Sequence, residues 1–422
     1  MNQRQSVSNW LLFLSVFGIF SCSLVVEKSV NICFYVLLLV SFFNVFFRKQ
    51  AASAFWATCK RYWPLNLAMC STLLVVLLHQ LFLGTFTLRM YDLPARLTFF
   101  ALIFWSLLAL PAGQLKKLQW AFACGAALYT INLYISTSGG AIRVTEINSF
   151  SVIFSSELAL LMGLFALLSV GWDTPARIWT LTCMTVALLF GIGAVYFSQT
   201  RGGWMGIPFF ALMVVVTILR SRSLRVKVIA YAIIFLTLTA AFSASGLVRE
   251  RLREGQNDIS ELALNKNPDT SFGVRFQLWN ASWLMFREHP LSGVGKENFN
   301  SELHAMHQRG VITELAAQQY HSHNEFLYAM ATMGIGGLLA VLLTYLVPGY
   351  YFAQYLKHHD SAINASAAMG LCLTAGYGIF GLVDVMFGWN MCNVFYSVSI
   401  AVFMALIVNR TTELQNPAQQ KS

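Results

Sequence analysis

The chain has 422 residues, 57% of them hydrophobic and 11% charged, with a formal net charge of +10. A soluble protein carries roughly 25% charged residues, so this composition excludes an ordinary water-soluble globule. The basic surplus sits in loops between long apolar runs, where it serves as a topology signal or as a contact for anionic lipid. No nucleic-acid-binding module is readable, and no nucleic-acid partner is expected.

From Trp10 to Val408 apolar runs recur, each near the ~20 residues that a helix needs to cross the hydrocarbon. Backbone groups in lipid must be satisfied within the segment, so the runs are read as helices. Membrane-barrel strands would be about ten residues long and would alternate, and these runs do neither. The expected class is therefore all-α, with about twelve spans near 9–26, 30–47, 64–84, 97–112, 118–136, 149–171, 178–197, 203–219, 227–247, 328–354, 363–386 and 390–408. The first run, after Arg4, is read as an uncleaved helix because no clear small-x-small cleavage site follows it. The eight cysteines all lie in or beside apolar runs and form no CxxC, which argues against a disulfide framework or a thiolate zinc site.

Lysine and arginine in the short loops set the orientation. Alternate loops hold Arg48, Lys49, Lys60 and Arg61; Lys116 and Lys117; Arg177; Arg220, Arg222, Arg225 and Lys227; Lys357; and Arg410. The opposite short loops hold only Lys28, Arg89, Arg96, Arg143 and Arg201. The first set is read as cytoplasmic, and both termini with it. The expected organisation is nine spans over 1–247, a large non-cytoplasmic loop over 248–327, three spans over 328–408 and a cytoplasmic tail over 409–422. The loop opens with the charged run Arg249, Glu250, Arg251, Arg253, Glu254. It continues with an amphipathic stretch from Phe272 to Phe286, whose Phe276, Trp279, Trp283 and Met285 suit a helix near the bilayer surface. Pro290, Gly293 and Gly295 break that stretch, and a second helix is expected from about Asn298 to Gln308.

Arg201 lies in Ser198-Gln199-Thr200-Arg201-Gly202-Gly203, a tight turn between two spans. The glycines permit close backbone approach. The guanidinium suits paired bonds to a phosphate, and equally a snorkelling helix cap. Arg275 opens the amphipathic stretch, and Arg143, in Gly139-Gly140-Ala141-Ile142-Arg143, is a third arginine of this kind; each also reads as a solvated loop charge. His323, followed by Asn324 and Glu325, suits general-base work or a surface histidine with one hydrogen bond. His304, His307, His321 and His323 would make a zinc site only if three or four ligands converged. Glu157 and Asp384 are expected inside spans, where ionisable residues are functional candidates or partners of a structural charge.

At these residues the chain resembles the O-antigen ligase/polymerase family of bacterial membrane glycosyltransferases. The resemblance rests on Ser198-Gln199-Thr200-Arg201-Gly202-Gly203, on Gly273-Val274-Arg275 with Trp279, and on His289-Pro290-Leu291-Ser292-Gly293-Val294-Gly295 before Phe299. It ends with His323-Asn324, nine residues, then Gly334-Ile335-Gly336-Gly337. Before Ser198 the likeness is one of hydropathy and topology, and the bulky Trp204 departs from the pattern after the glycines. The resemblance implies a glycosyltransferase C-like arrangement of about twelve helices with one large periplasmic loop in the bacterial inner membrane. It implies no cofactor and no metal. Arg201 and Arg275 would bind the diphosphate of undecaprenyl-diphosphate-linked O-antigen, the donor. His323 would take a proton from a hydroxyl of the lipid A–core acceptor, with inversion at the sugar. Arg143, Asn324, Asp384 and His321 would support them, His321 standing outside the motif position. The alternatives are an O-antigen polymerase, a protein O-oligosaccharyltransferase and, in another class, a transporter of lipid-linked glycan. No internal repeat of the kind many transporters carry is readable.

Overall fold

The computed structural model describes residues 3–46, 51–84, 86–147, 150–173, 177–264 and 266–415. Arg48, Lys49 and the end of the expected tail, 416–422, lie outside the described residues. Among the described residues, ten segments are long and apolar enough to cross a membrane: Ser29–Phe46, Trp63–Phe82, Leu88–Leu108, Val152–Trp172, Ile178–Ser198, Arg201–Ile218, Leu224–Ala241, Glu325–Tyr355, Ser361–Phe380 and Asn390–Gln415. The shorter apolar stretch Ser6–Cys22 and the helix Leu118–Ser136 occupy the two remaining expected positions. The chain is an all-α polytopic membrane protein. Its described strands, Glu146–Ile147 and Phe150–Ser151, form a short antiparallel ribbon before the Val152 helix.

Burial sorts the helices into centre and rim. In the most apolar 18 residues of Asn390–Gln415 and of Val152–Trp172, 94% of the residues are buried, whereas none is fully buried in Leu224–Ala241. A helix apolar on every side must be enclosed by protein or by lipid, and these represent the two solutions. The centre is joined by aromatic edges: Phe165 meets Phe403 at 5.0 Å, and Phe20 meets Phe395 at 5.5 Å. Such pairs contribute roughly 0.5–1.5 kcal/mol each beyond the area they bury.

One span starts well before its expected position. Hydropathy places a boundary at residue 97 because Asp92 and Arg96 interrupt the apolar run, yet helical structure begins at Leu88. Arg96 is only 4% exposed. Its guanidinium pairs with Asp92 at 3.2 Å, donates to Asn31 at 2.8 Å and to the Tyr35 hydroxyl at 3.2 Å, and lies over the Phe34 ring. The charge is satisfied inside the bundle, so it does not end the span.

The loops that alternate in the chain are joined at one end of the bundle. Lys116 reaches the Trp172 carbonyl, Arg220 the His358 carbonyl and Arg410 the Asp360 carboxylate. The other end carries the long hydrophilic segment, which is built of helices Gly246–Ala263, Ser271–Glu288, Phe299–Gln308 and Glu314–Ala317. The amphipathic stretch is thus a helix, but its apolar side is divided. Leu278, Ala281 and Met285 pack with Phe299, Leu303 and Met306 in a small core of their own, while Phe276 and Trp283 remain exposed. Met285 therefore belongs to this core and not to a lipid-facing stripe.

This small core is fastened to a break in the Glu325–Tyr355 helix. Gly334 has φ 61° and ψ −153°, a conformation that L side chains rarely adopt. Breaking the helix frees two backbone acceptors, and the incoming loop supplies donors: Val294 N–H to Ala331 O at 2.8 Å and Gly295 N–H to Thr332 O at 2.9 Å. In return Ile335 N–H donates to Pro290 O at 2.8 Å. A Cβ on Gly334 would come within 2.4 Å of Leu291 O, and one on Gly293 within 2.4 Å of Met333 N. The two glycine motifs are the halves of one backbone-to-backbone joint. It holds the Ser271 helix, and hence Arg275, against the helix that follows His323.

Candidate active site

Arg201 is the first residue of the Arg201–Ile218 helix. The preceding helix ends at Ser198, and the corner is made by Gln199 in the left-handed region (φ 56°) and by extended Thr200. The corner is held by Ser198 and Thr200 hydroxyls 2.8 Å apart and by Gln199 Nε2 donating to Gly140 O at 2.8 Å, which also fixes the Arg143 loop. A Cβ on Gly202 would meet Val383 at 2.9 Å and Glu157 Oε1 at 3.1 Å, so the corner needs glycine in order to approach the 381–389 turn. Trp204, the departure from the family pattern, points away into an apolar groove with Pro208 and Leu252.

Arg275 stands in the second turn of the Ser271–Glu288 helix, whose start is capped by the Thr270 side chain accepting from Gly273 N. Arg143, Arg201, Arg251 and Arg275 line one cavity of about 150 Å³, together with Glu254, Asp258 and Val383. Arg201 is 3.6 Å from Glu254 and 3.5 Å from Asp258, and Arg251 pairs with Glu254. Arg275 makes no hydrogen bond or ion pair among the described residues. Burial, together with the like charge of Arg201, pushes its guanidinium below the ordinary range, and the Asp384 carboxylate opposes that shift. Burial and then the neighbouring guanidiniums act on Arg143 in the same direction.

His323 lies just before the Glu325–Tyr355 helix with φ 50°, which is uncommon for a residue that is not glycine. The surroundings determine this conformation. Asn324 caps the helix through Oδ1, which accepts from Leu327 N at 3.0 Å, while its Nδ2 donates to Leu382 O at 3.0 Å. Glu325 N–H donates to Gly381 O at 2.7 Å, and Phe387 N–H donates to Glu325 Oε2 at 2.9 Å. Asn324 is therefore a structural cap that fixes the histidine's backbone.

Asp384, expected inside a span, lies instead in the turn after the Ser361–Phe380 helix, because that helix ends at Phe380. It is 2% exposed. Its Oδ1 is 3.4 Å from His323 Nδ1 and 3.7 Å from His321 Nδ1. Both contacts are longer than a tight hydrogen bond, and His323 Nδ1 has no hydrogen-bond partner among the described residues. His321 Nδ1 already accepts from the His323 backbone N–H at 3.3 Å, which leaves Asp384 to His323. Burial, with help from His323 and Arg275, pushes the His321 imidazole down to about 4 against the pull of Asp384, so it is neutral at ordinary pH and suited to accept that bond. Burial alone would raise the Asp384 carboxyl, but the two histidines and the Val385 N–H hold it below its usual range.

Nitrogen and oxygen atoms of His321, His323 and Asp384 lie within 4.8 Å of one another, a donor set that also suits a divalent metal. His304 and His307 are not part of this group; His307 Nδ1 instead lies 3.1 Å from the Ile312 carbonyl. Glu157 is fully buried under Gly202 and does not line the arginine cavity. Sequence reasoning passed over Arg251, which stood in an apparently solvated charge run. The one signal for it was helical spacing, since Arg251, Glu254 and Asp258 recur at i, i+3 and i+7.

Residues 186–342 match the O-antigen ligase family. The matched stretch is 157 of the chain's 422 residues. It runs from the helix before Arg201 through the broken helix after His323, and so contains the arginine corner, both halves of the glycine joint and both histidines. An uncharacterised protein of Haemophilus influenzae is 23% identical over 220 residues, 52% of this chain. The match spans about half the length of that relative (55%).

Proposed function

We propose that this protein transfers glycan from a lipid diphosphate carrier to a sugar hydroxyl, as an O-antigen ligase. In this reading the donor is undecaprenyl-diphosphate-linked O-antigen and the acceptor is lipid A–core oligosaccharide. The site faces the periplasm of a bacterial inner membrane, because the basic alternate loops belong on the cytoplasmic side with both termini. The observation that carries the reading is the meeting of an arginine cavity with a His–Asp pair at one turn: Val383 lines the cavity and Asp384 faces His323.

Asp384 lies 3.4 Å from His323 Nδ1, so a proton on that nitrogen would face the carboxylate and leave Nε2 as the base. Nε2 takes the acceptor hydroxyl proton as the oxygen attacks the anomeric carbon. The bond from that carbon to the phosphate oxygen breaks, the sugar inverts, and undecaprenyl diphosphate leaves. Negative charge grows on the leaving diphosphate, facing Arg201 and Arg275. Guanidiniums already in place stabilise it without reorganisation. A positioned base contributes on the order of 10²–10⁴-fold.

The test supplies purified protein with undecaprenyl-diphosphate O-antigen and lipid A–core, without nucleotide and with EDTA. Glycan attached to lipid A–core is the expected product. Lengthened lipid-linked chains without attachment would identify a polymerase. Attachment to an added protein acceptor alone would identify a protein glycosyltransferase. No new bond from folded protein, with movement of lipid-linked glycan across vesicles, would replace the enzyme by a transporter. Loss of activity in EDTA that zinc restores would make His321, His323 and Asp384 metal ligands.

A further inference from the structure

The Gly246–Ala263 helix places Arg251, Glu254 and Asp258 on one face, directed at Arg201. Glu254 Oε2 contacts both Arg201 and Arg251 and so bridges two guanidiniums. Gly255 lets this happen at close range, since a Cβ there would come within 2.7 Å of Arg201 Nη1. Arg251 is 7% exposed, and its Nε has no hydrogen-bond partner among the described residues. Such a group is costly to bury unless an acceptor reaches it. A two-oxygen anion shared between two arginines occupies the place a diphosphate would take.

We propose that Glu254 is a built-in surrogate for the donor's diphosphate, which displaces it and thereby gains Arg251 as a further diphosphate-binding residue. The inference rests on the reading of the cavity as a lipid diphosphate site. Charge supports it. Four guanidiniums face two carboxylates in the cavity, a surplus of two positive charges. The donor's diphosphate, linked at both ends, carries about two negative charges. When the sugar leaves, its freed terminal phosphate gains up to one more near neutral pH. With Glu254 moved aside, only Asp258 offsets the four arginines, and the surplus rises by one to meet the charge that bond breaking creates. Return of Glu254 to Arg201 and Arg251 then competes with the bound product and speeds its release. The same carboxylate thus weakens donor binding and keeps the product from being trapped.

The experiment measures binding of undecaprenyl diphosphate to the full chain in detergent, beside turnover. Glu254→Gln should lower Kd at least fivefold and lower KM, with kcat falling as product release slows. Arg251→Ala should raise Kd about tenfold, and Arg251→Lys by less. Because Arg251→Ala removes a buried group, each variant is first shown to be monodisperse, and Arg251→Lys carries the comparison if Arg251→Ala does not fold. Arg201→Ala serves as the reference and should raise Kd strongly. If Arg201→Ala weakens binding while Glu254→Gln leaves it unchanged or weaker, the surrogate role is wrong. If neither arginine variant that folds at position 251 changes Kd, Arg251 is not a ligand of the diphosphate. If Arg201→Ala itself leaves Kd unchanged, the cavity is not the lipid diphosphate site and the underlying reading fails.

Discussion

Arg96 and Arg275 are both arginines carried on helices and differ in almost every contact. Arg96 has a carboxylate, an amide oxygen, a phenol and two aromatic faces around it. Arg275 has no hydrogen bond or ion pair among the described residues and shares a cavity with three other arginines. A buried charge surrounded by partners holds its own neighbourhood together. A charge with no direct partner, desolvated and beside another guanidinium, costs the fold more than Arg96 does even with Asp384 offsetting part of that cost, and it is suited to an anion that arrives later. The glycine joint explains how the second arrangement persists. Backbone hydrogen bonds between the 290–295 loop and the break at Gly334 hold the Ser271 helix in place, so the position of Arg275 does not depend on its side chain.

The largest effect that would sharpen this contrast is on transfer. Arg275→Ala should reduce it by about 10²–10³-fold, while the melting temperature of the ligand-free protein holds or rises. A clear drop in melting temperature would put Arg275 in the same class as Arg96. Arg96→Ala should do the reverse. It empties the buried end of the pair and leaves the Asn31 oxygen without its donor, while Asp92, half exposed, falls back on water; the cost should be about 1–3 kcal/mol, and transfer per folded molecule should be unchanged. Unfolding in detergent together with single-turnover assays would check both sides. Gly334→Ala is expected to fall between them, losing stability and transfer together, because a Cβ at that φ strikes the Leu291 carbonyl and loosens the joint that carries Arg275. Arg201→Lys keeps the charge and loses the planar fork, so transfer should fall by about tenfold; unchanged kinetics would argue against paired phosphate contacts.

A further effect, on stability and not on transfer, is the pH response of His321. Its imidazole is pushed from 6.5 to about 4 by burial, so below pH 6.5 the unfolded chain binds a proton that the folded chain does not. The stability this site contributes is therefore complete above about pH 6.5 and declines as pH falls towards 4, by about 3 kcal/mol at most. Hydrogen exchange of the 320–324 segment across that range should show the slope in wild type and a flatter line in His321→Asn. Equal slopes would show that His321 is not the group responsible.

Much of the architecture was readable because hydropathy and helix length are local properties. What it missed depended on partners distant in the chain. The span that begins at Leu88 looked shorter because Asn31 and Tyr35, which satisfy Arg96, lie some sixty residues away. Arg201 and His323 were readable as parts of spaced motifs. Arg251 was not, since burial of one residue in a charged run depends on what the helix packs against. Asp384 was readable as a candidate but was placed inside a span, because hydropathy does not register the end of the helix at Phe380. The glycine motifs were visible as patterns, while their role as one joint across forty residues appears only when the backbone pairing is seen.

The most direct test of the account is to measure donor binding and transfer separately in His323→Ala. If the arginines hold the donor and His323 activates the acceptor, this variant should bind undecaprenyl-diphosphate O-antigen with unchanged Kd and form product about 10²–10⁴-fold more slowly in a single turnover. Transfer at the wild-type rate by folded His323→Ala protein would contradict the assignment of the base, and with it the account of the site.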